Sequence, residues 1–137
     1  MCKCIMLLLT SMPLRSLRTQ LAYNRYRKSA PDTCGFCELH GAPTAQLVET
    51  FDTMMLVRNR FPYSRWDGWE VAEHLMVVPK RHLTKLTDFN GEEAKEFAEL
   101  LMKFDEEGYS FYHRSHANLS KTMPHVHGHL LRPAARR

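Results

Sequence analysis

Seven residues near the C-terminus, His125-Val126-His127-Gly128-His129-Leu130-Leu131, constrain this chain more than any others. Side chains on a β-strand alternate between faces with a period of two. Read as a strand, the segment puts His125, His127 and His129 on one face and Val126 and Gly128 on the other. Imidazoles in such a row can bind a metal, move protons, or attack phosphorus through an uncharged ring nitrogen.

The preceding residues predict the rest of a small α+β fold. Residues 47–51 and 54–58 are short apolar runs, a hairpin turning near Asp52. Residues 74–78 form a third strand that Pro79 ends, because proline cannot donate to a ladder. A helix starts at Asn90 or Gly91, with Asn90 as cap and Glu92 and Glu93 at the positive end of its dipole. Its apolar face is Ala94, Phe97, Leu101 and Phe104, with Leu100 beside them, and Gly108 stops it. Residues 108–113 are a fourth strand and 125–131 a fifth. Short links between consecutive strands favour an antiparallel sheet.

The chain has 137 residues, 44% hydrophobic and 25% charged, which suits one domain with its own core. That domain is expected over residues 33–137, after an N-terminal extension of residues 1–32. No acid precedes Asp32, whereas Lys3, Arg15, Arg18, Arg25, Arg27 and Lys28 do. Arg132, Arg136 and Arg137 close the other end. Basic ends can meet nucleic acid or anionic lipid, but no nucleic-acid module is recognisable and solvated tails are the expected reading. Leu14, Leu17 and Leu21 fall at helical spacing, so part of the extension is expected as a short amphipathic helix. The apolar run at residues 5–9 is too short to cross a bilayer and short for a signal peptide. No membrane association is expected. A cytoplasmic location with reduced cysteines is, although the acid-free start is similar to an organellar transit peptide.

Cys34-Gly35-Phe36-Cys37 can hold one zinc ion with two further ligands, for which histidines suit better than Cys2 and Cys4. A redox dithiol and inert thiols are the other readings. His82, just beyond Pro79, is placed to bind metal, and His74 is a second candidate for the active face. Asn59 carries an amide that can bond a ribose hydroxyl or shape a turn. Trp66 and Trp69 lie in an apparent loop around Asp67-Gly68, to stack on a base or to cover the core. Asn118, Ser120, Lys121 and Thr122 lead into the histidine row with hydroxyls, an ammonium and backbone N–H groups that suit a phosphate.

Taken together, the row at 125–131, the run His74 to His82 with its Pro79-Lys80-Arg81-His82 ending, Asn59 to Tyr63, and the Cys-x-x-Cys pair resemble the histidine-triad (HIT) superfamily of nucleotide hydrolases and transferases. The resemblance spans roughly residues 34 to 132. It implies a five-stranded antiparallel sheet with a packed helix, joined to a second copy in a dimer with a continuous sheet. It implies purine mononucleotides or dinucleotides as ligands, with His127 attacking the α-phosphorus to form a nucleotidyl-histidine. His129 would orient the nucleophile or contact phosphate, His74 would donate near the phosphate, Asn59 would meet the ribose, and Thr122 the phosphate or leaving group. Cys34, Cys37, His82 and His125 would hold a structural zinc. Two departures stand out. Residues 118–125 are short and lack the usual glycines and Gln-Ser pair. Residues 63–74 are long, carrying Arg65, Trp66, Asp67 and Trp69, with Glu73 where glycine is typical. The leading expectation is a hydrolase of dinucleoside polyphosphates or nucleoside phosphoramidates. The alternatives are a nucleotidyl transferase or phosphorylase, a nucleotide-binding regulatory module with little turnover, and last a nucleic-acid end-processing enzyme.

Overall fold

The computed structural model describes residues 13–135. Cys2, Cys4, the apolar run at 5–9, Arg136 and Arg137 lie outside the described residues. In chain order the elements are α1 (Leu17–Ser29), α2 (Gly35–Gly41), β1 (Leu47–Thr50), β2 (Met54–Arg58), β3 (Arg65–Trp66), β4 (Trp69–Pro79), a 3-10 turn (Leu86–Asp88), α3 (Gly91–Glu106), β5 (Ser110–Tyr112) and β6 (Gly128–Pro133). The sheet runs β1-β2-β4-β6-β5, antiparallel throughout, with β3 paired to β4 off this path.

The sheet is covered on both faces, which explains why β2 and the second half of β4 read as unbroken apolar runs. On one face Met54, Leu56, Leu75, Val77 and Leu130 pack against Phe97, Leu100 and Phe104 of α3. On the other, Met55, Val57, Met76 and Val78 pack against Phe36 and Leu39 of α2. The second face carries the histidines.

α3 begins as its sequence dictates. Asn90 Oδ1 accepts the Glu93 N–H at 2.9 Å and Glu93 Oε1 accepts the Asn90 N–H at 3.1 Å, a reciprocal capping box. The buried Glu93 carboxylate also pairs with Arg81 at 2.7 Å. Glu96, one turn on, accepts the Asp52 N–H at 3.0 Å, the Thr53 N–H at 2.6 Å and the Thr53 hydroxyl, tying the β1–β2 turn to the helix. The face that packs is Glu93, Phe97, Leu100 and Phe104. Ala94 is exposed and Leu101 only half-buried, a correction to the expected stripe. Rotation of the stripe toward the larger side chains buries more apolar area.

Three boundaries differ from expectation. β4 starts at Trp69, five residues before His74, because Asp67 (φ 50°) and Gly68 (φ 78°) make a two-residue hairpin turn to β3. The apparent tryptophan loop is therefore a β-ribbon. Trp66 packs on Tyr112 at 4.7 Å between ring centroids and stacks toward Tyr63 at 6.2 Å. β5 is shorter than residues 108–113. β6 starts at Gly128, so His125 and His127 precede the ladder in extended chain, where Val126 N–H donates to the Leu83 carbonyl at 2.7 Å.

α1 does form over the extension, capped by Ser16 Oγ, which accepts the Thr19 N–H at 3.2 Å. Its leucines are not its packing face: Leu17 and Leu21 are exposed. Tyr23 and Tyr26 rest instead on Phe61, with ring centroids 5.4 and 5.2 Å apart. No helix among the described residues is long and apolar enough to cross a membrane.

Candidate active site

Four buried imidazoles, the exposed His82 and two half-buried thiols lie on one side of the sheet, in two adjoining groups. The first group is Cys34 and Cys37 at the start of α2, His82 after β4, and His125. Their four ligand atoms lie within 4.8 Å of one another. Cys34 Sγ is 3.4 Å and Cys37 Sγ 3.6 Å from His125 Nδ1, and Cys37 Sγ is 3.3 Å from His82 Nδ1. A tetrahedral ion with metal–sulfur bonds of ~2.3 Å and metal–nitrogen bonds of ~2.0 Å sets neighbouring S and N atoms about 3.5 Å apart. The cluster matches that spacing. His125 Nε2–H donates to the Pro79 carbonyl at 2.7 Å, which leaves Nδ1 unprotonated toward the sulfurs. Burial raises the Cys37 thiol pKa, with the neighbouring Cys34 adding to it. These four residues can hold a metal ion.

The second group is His127, His129 and His74. His127 Nδ1–H donates to the His125 carbonyl at 2.9 Å, so the lone pair is on Nε2. Tyr63 N–H donates to His74 Nδ1 at 3.0 Å, so His74 carries its proton on Nε2 and gives it to His129 Nδ1 at 2.9 Å. His129 in turn keeps its proton on Nε2. Three backbone contacts and one ring-to-ring bond thereby fix the tautomers of His125, His127, His74 and His129. Burial holds all three neutral: the pKa of His127 falls to about 4, that of His74 to about 3 and that of His129 to about 2, with neighbouring imidazoles and, for His74, Arg15 adding to the shift. Phe36 rests against both His125 and His127, at 5.5 and 5.4 Å.

His127 and His129 open onto a cleft of ≈ 1360 Å³, roofed by α1 and walled by α2 and the segment from Asn59 to Tyr63. Asn59 and Thr122 also line it. Asn59 Oδ1 accepts the Phe61 N–H at 2.8 Å, while Nδ2 approaches Met76 Sδ at 3.6 Å and His74 Nε2 at 3.3 Å. The amide shapes its turn and faces the cleft at once. Thr122 Oγ1 is 2.7 Å from the Tyr23 hydroxyl. Lys121 is half-buried behind the loop, its buried Nζ without a hydrogen-bond partner among the described residues, and its charge lies near His127. Asn118 is not brought to the cleft. Its Oδ1 accepts the Ser120 N–H at 2.9 Å and hydroxyl at 2.6 Å, closing its own loop. Trp66 and Trp69 border a separate hollow of ≈ 130 Å³ that holds no histidine. Glu73 turns away from the cleft to Tyr109, Arg58 and Arg132.

Sequence reasoning missed Tyr63, whose backbone sets the His74 tautomer, and Arg15, Arg114 and His113. Arg15 Nε donates to the Phe61 carbonyl at 2.8 Å, from 46 residues away. Arg114 reaches the Ser120 hydroxyl at 2.5 Å. His113 Nε2 is buried without a hydrogen-bond partner among the described residues. No local motif signals such contacts.

The family model described as HIT domain matches residues 41–135, more than half the chain. The protein therefore belongs to the HIT domain family. Its fold is similar to that of a HIT family hydrolase from Legionella pneumophila, 23% identical, with a TM-score of 0.55 over 77% of this chain and 95% of that one. A Zn-bound histidine triad family protein from Mycobacterium smegmatis is 21% identical, with a TM-score of 0.54 over 76% of each chain. A histidine triad nucleotide-binding protein from Candida albicans is 18% identical, with a TM-score of 0.54 over 74% of this chain and 76% of that one. No curated protein matches the sequence.

Proposed function

We propose that the protein is a zinc-stabilised, dimeric hydrolase that cleaves nucleoside phosphate derivatives, dinucleoside polyphosphates or phosphoramidates, at the α-phosphorus. The observation that carries this reading is the unprotonated Nε2 of His127 on a cleft wall, held in that state by the His125 carbonyl. The Nε2 lone pair forms a bond to the α-phosphorus, and the bond from phosphorus to the bridging oxygen or nitrogen breaks. The leaving group departs with that electron pair and takes up a proton from solvent. Water then attacks phosphorus and gives up a proton to solvent, the electron pair of the phosphorus–nitrogen bond returns to Nε2, and His127 is left neutral. A prepositioned neutral imidazole is a competent nucleophile near neutral pH and removes the entropy cost of bringing one in.

His129 Nε2–H donates to a phosphoryl oxygen, and His74 fixes the His129 ring through their 2.9 Å bond. Asn59 meets the ribose and Thr122 the phosphates, and Lys121 adds its positive charge from behind the loop. Asn118 acts only through its loop. Cys34, Cys37, His82 and His125 hold zinc, for which two thiolates and two imidazoles are a suitable donor set. The ion is structural: it ties α2 to the sheet, and the displacement uses no metal. The relatives called a hydrolase, a nucleotide-binding protein and a Zn-bound protein are consistent with each part of this reading. The dimer rests on β5, an edge strand beside α3, where Phe111 and Met102 are exposed.

The test is incubation with a panel of adenosine and guanosine derivatives, followed by mass spectrometry of the acid-quenched protein. A nucleotide adduct on wild type that is lost in His127→Ala is the expected result. Turnover in His127→Ala at the wild-type rate would overturn the reading. Running the panel with and without inorganic phosphate distinguishes hydrolysis from phosphorolysis.

A further inference from the structure

Four arginines, Arg15, Arg27, Arg60 and Arg114, line the cleft. None forms an ion pair among the described residues. Each is held by aromatic rings instead. Arg15 lies 4.3 Å over Tyr23 and 4.9 Å over Tyr63, Arg114 5.2 Å over Tyr112, Arg60 4.9 Å over Tyr26, and Arg27 5.7 Å over Tyr23. The carboxylates on the cleft wall are Asp32 and Glu38, and Glu38 takes the Thr33 hydroxyl at 2.5 Å. Stacking fixes a guanidinium without neutralising it, so the fork remains available to an anion.

Arg15 and Arg114 meet at Tyr63: Arg15 lies 4.9 Å over its ring, Arg114 reaches its hydroxyl at 3.5 Å, and the ring stacks on His129 at 5.7 Å. Like charges gathered in a partly desolvated cleft repel one another, and an anionic ligand relieves that cost. Arg15 does not sit on a loose tail. The Leu14 carbonyl accepts the Ser64 N–H at 2.7 Å and the Arg65 N–H at 3.2 Å. Tyr23 bonds Thr122 across the cleft, and the Arg15 Nε bond to Phe61 aims the side chain. Arg114 is braced by Ser120.

We propose that Arg15 and Arg114 form an anion subsite beside His129 that receives a further phosphate of the leaving group, so that Arg15, outside residues 41–135, determines specificity. This deepens the hydrolase reading and rests on it. Within that reading it selects polyphosphate leaving groups over amines.

The test has two arms. In the first, kcat/KM is measured for diadenosine triphosphate and for adenosine 5′-phosphoramidate in wild type, Arg15→Met, Arg15→Lys and Arg114→Met. The ratio of the two falls about tenfold or more in each Met variant, the loss of one charge-assisted bond. It falls less in Arg15→Lys, which keeps charge without the fork. Equal losses on both substrates would mean a merely structural role and overturn the subsite. In the second, calorimetry follows inorganic tripolyphosphate binding to wild type, Arg15→Met and Arg18→Met, the last an exposed charge control. Weakening confined to Arg15→Met supports the subsite, and equal affinity in all three overturns it. Absence of any adduct on His127 would sink the hydrolase reading separately, because tripolyphosphate binding needs no chemistry.

Discussion

Gly128 sits between the proposed nucleophile and its neighbour, and its missing side chain is filled from outside. A Cβ there would stand 2.4 Å from Cε2 and 3.1 Å from Cζ of Phe111, and 3.4 Å from Cζ of Phe97. Gly128→Ala must therefore displace the Phe111 ring, which has room to move because it is partly exposed. Overpacking of this kind costs about 1–3 kcal/mol, to be read by urea unfolding, and Phe111→Leu in the same chain should recover part of it. The imidazoles set a second expectation. His74 titrates at about 3 in the folded protein, against an ordinary value near 6.5. Above about 6.5 both states are neutral and the full stability is present; as pH falls from there toward about 3, the unfolded chain binds a proton that the folded chain refuses. Stability thus declines across that window, and urea midpoints at pH 7.5, 6, 5 and 4 should show it, with a shallower slope in His74→Gln. A pH-independent midpoint would contradict the buried neutral imidazole. At this scale the histidine row and the Cys-x-x-Cys pair are legible from their spacing, while the joining of His82 and His74 to them is legible only through the family resemblance. Arg15, Arg114 and Tyr63 are not, since each joins the site through a contact between distant parts of the chain.

Helix α3 is the element on which the sheet face opposite the site depends. Phe97 packs among Phe89, Phe111 and the Leu130 region. Phe97→Ala should cost about 3–5 kcal/mol while leaving the tautomers of the histidine row intact, a separation visible as a lowered melting temperature with unchanged kcat below it. β1, β2 and α3 were readable in advance because turn, cap and apolar signals agree with tertiary burial there. β4 reads short in the sequence because Asp67-Gly68 between two tryptophans has the composition of a loop. β6 reads long because the alternation of the histidines mimics a ladder. In fact Val126 bonds to the Leu83 carbonyl, and His125 answers to the cysteines and the Pro79 carbonyl. α1 was foreseen from its leucines but is seated by its tyrosines. Phe61, which receives them, lies more than thirty residues on, where local periodicity says nothing.

The whole molecule is held together by pieces that would separate cheaply. α2 is seven residues long, too short to persist alone, and its apolar contact with the sheet is Phe36 and Leu39. On the proposed reading, an ion held by Cys34, Cys37, His82 and His125 is its further anchor. Cys34→Ser, or chelation, should lower stability by more than about 4 kcal/mol, with metal content measured in parallel. A metal-free wild type of undiminished stability would refute the structural role. Sedimentation should give twice the 16.0 kDa chain mass, with Met102→Glu shifting it toward one chain. His125 joins these levels. Its ring belongs to the cluster while its carbonyl keeps the His127 proton off Nε2. If His127 is the nucleophile as proposed, a disturbance among the sulfurs should reach it two residues along the backbone, through the His125 carbonyl. Catalysis should fade in proportion to lost ions while circular dichroism still reports an intact sheet, so that activity, and not secondary structure, is the sensitive gauge of how fully a sample is metallated.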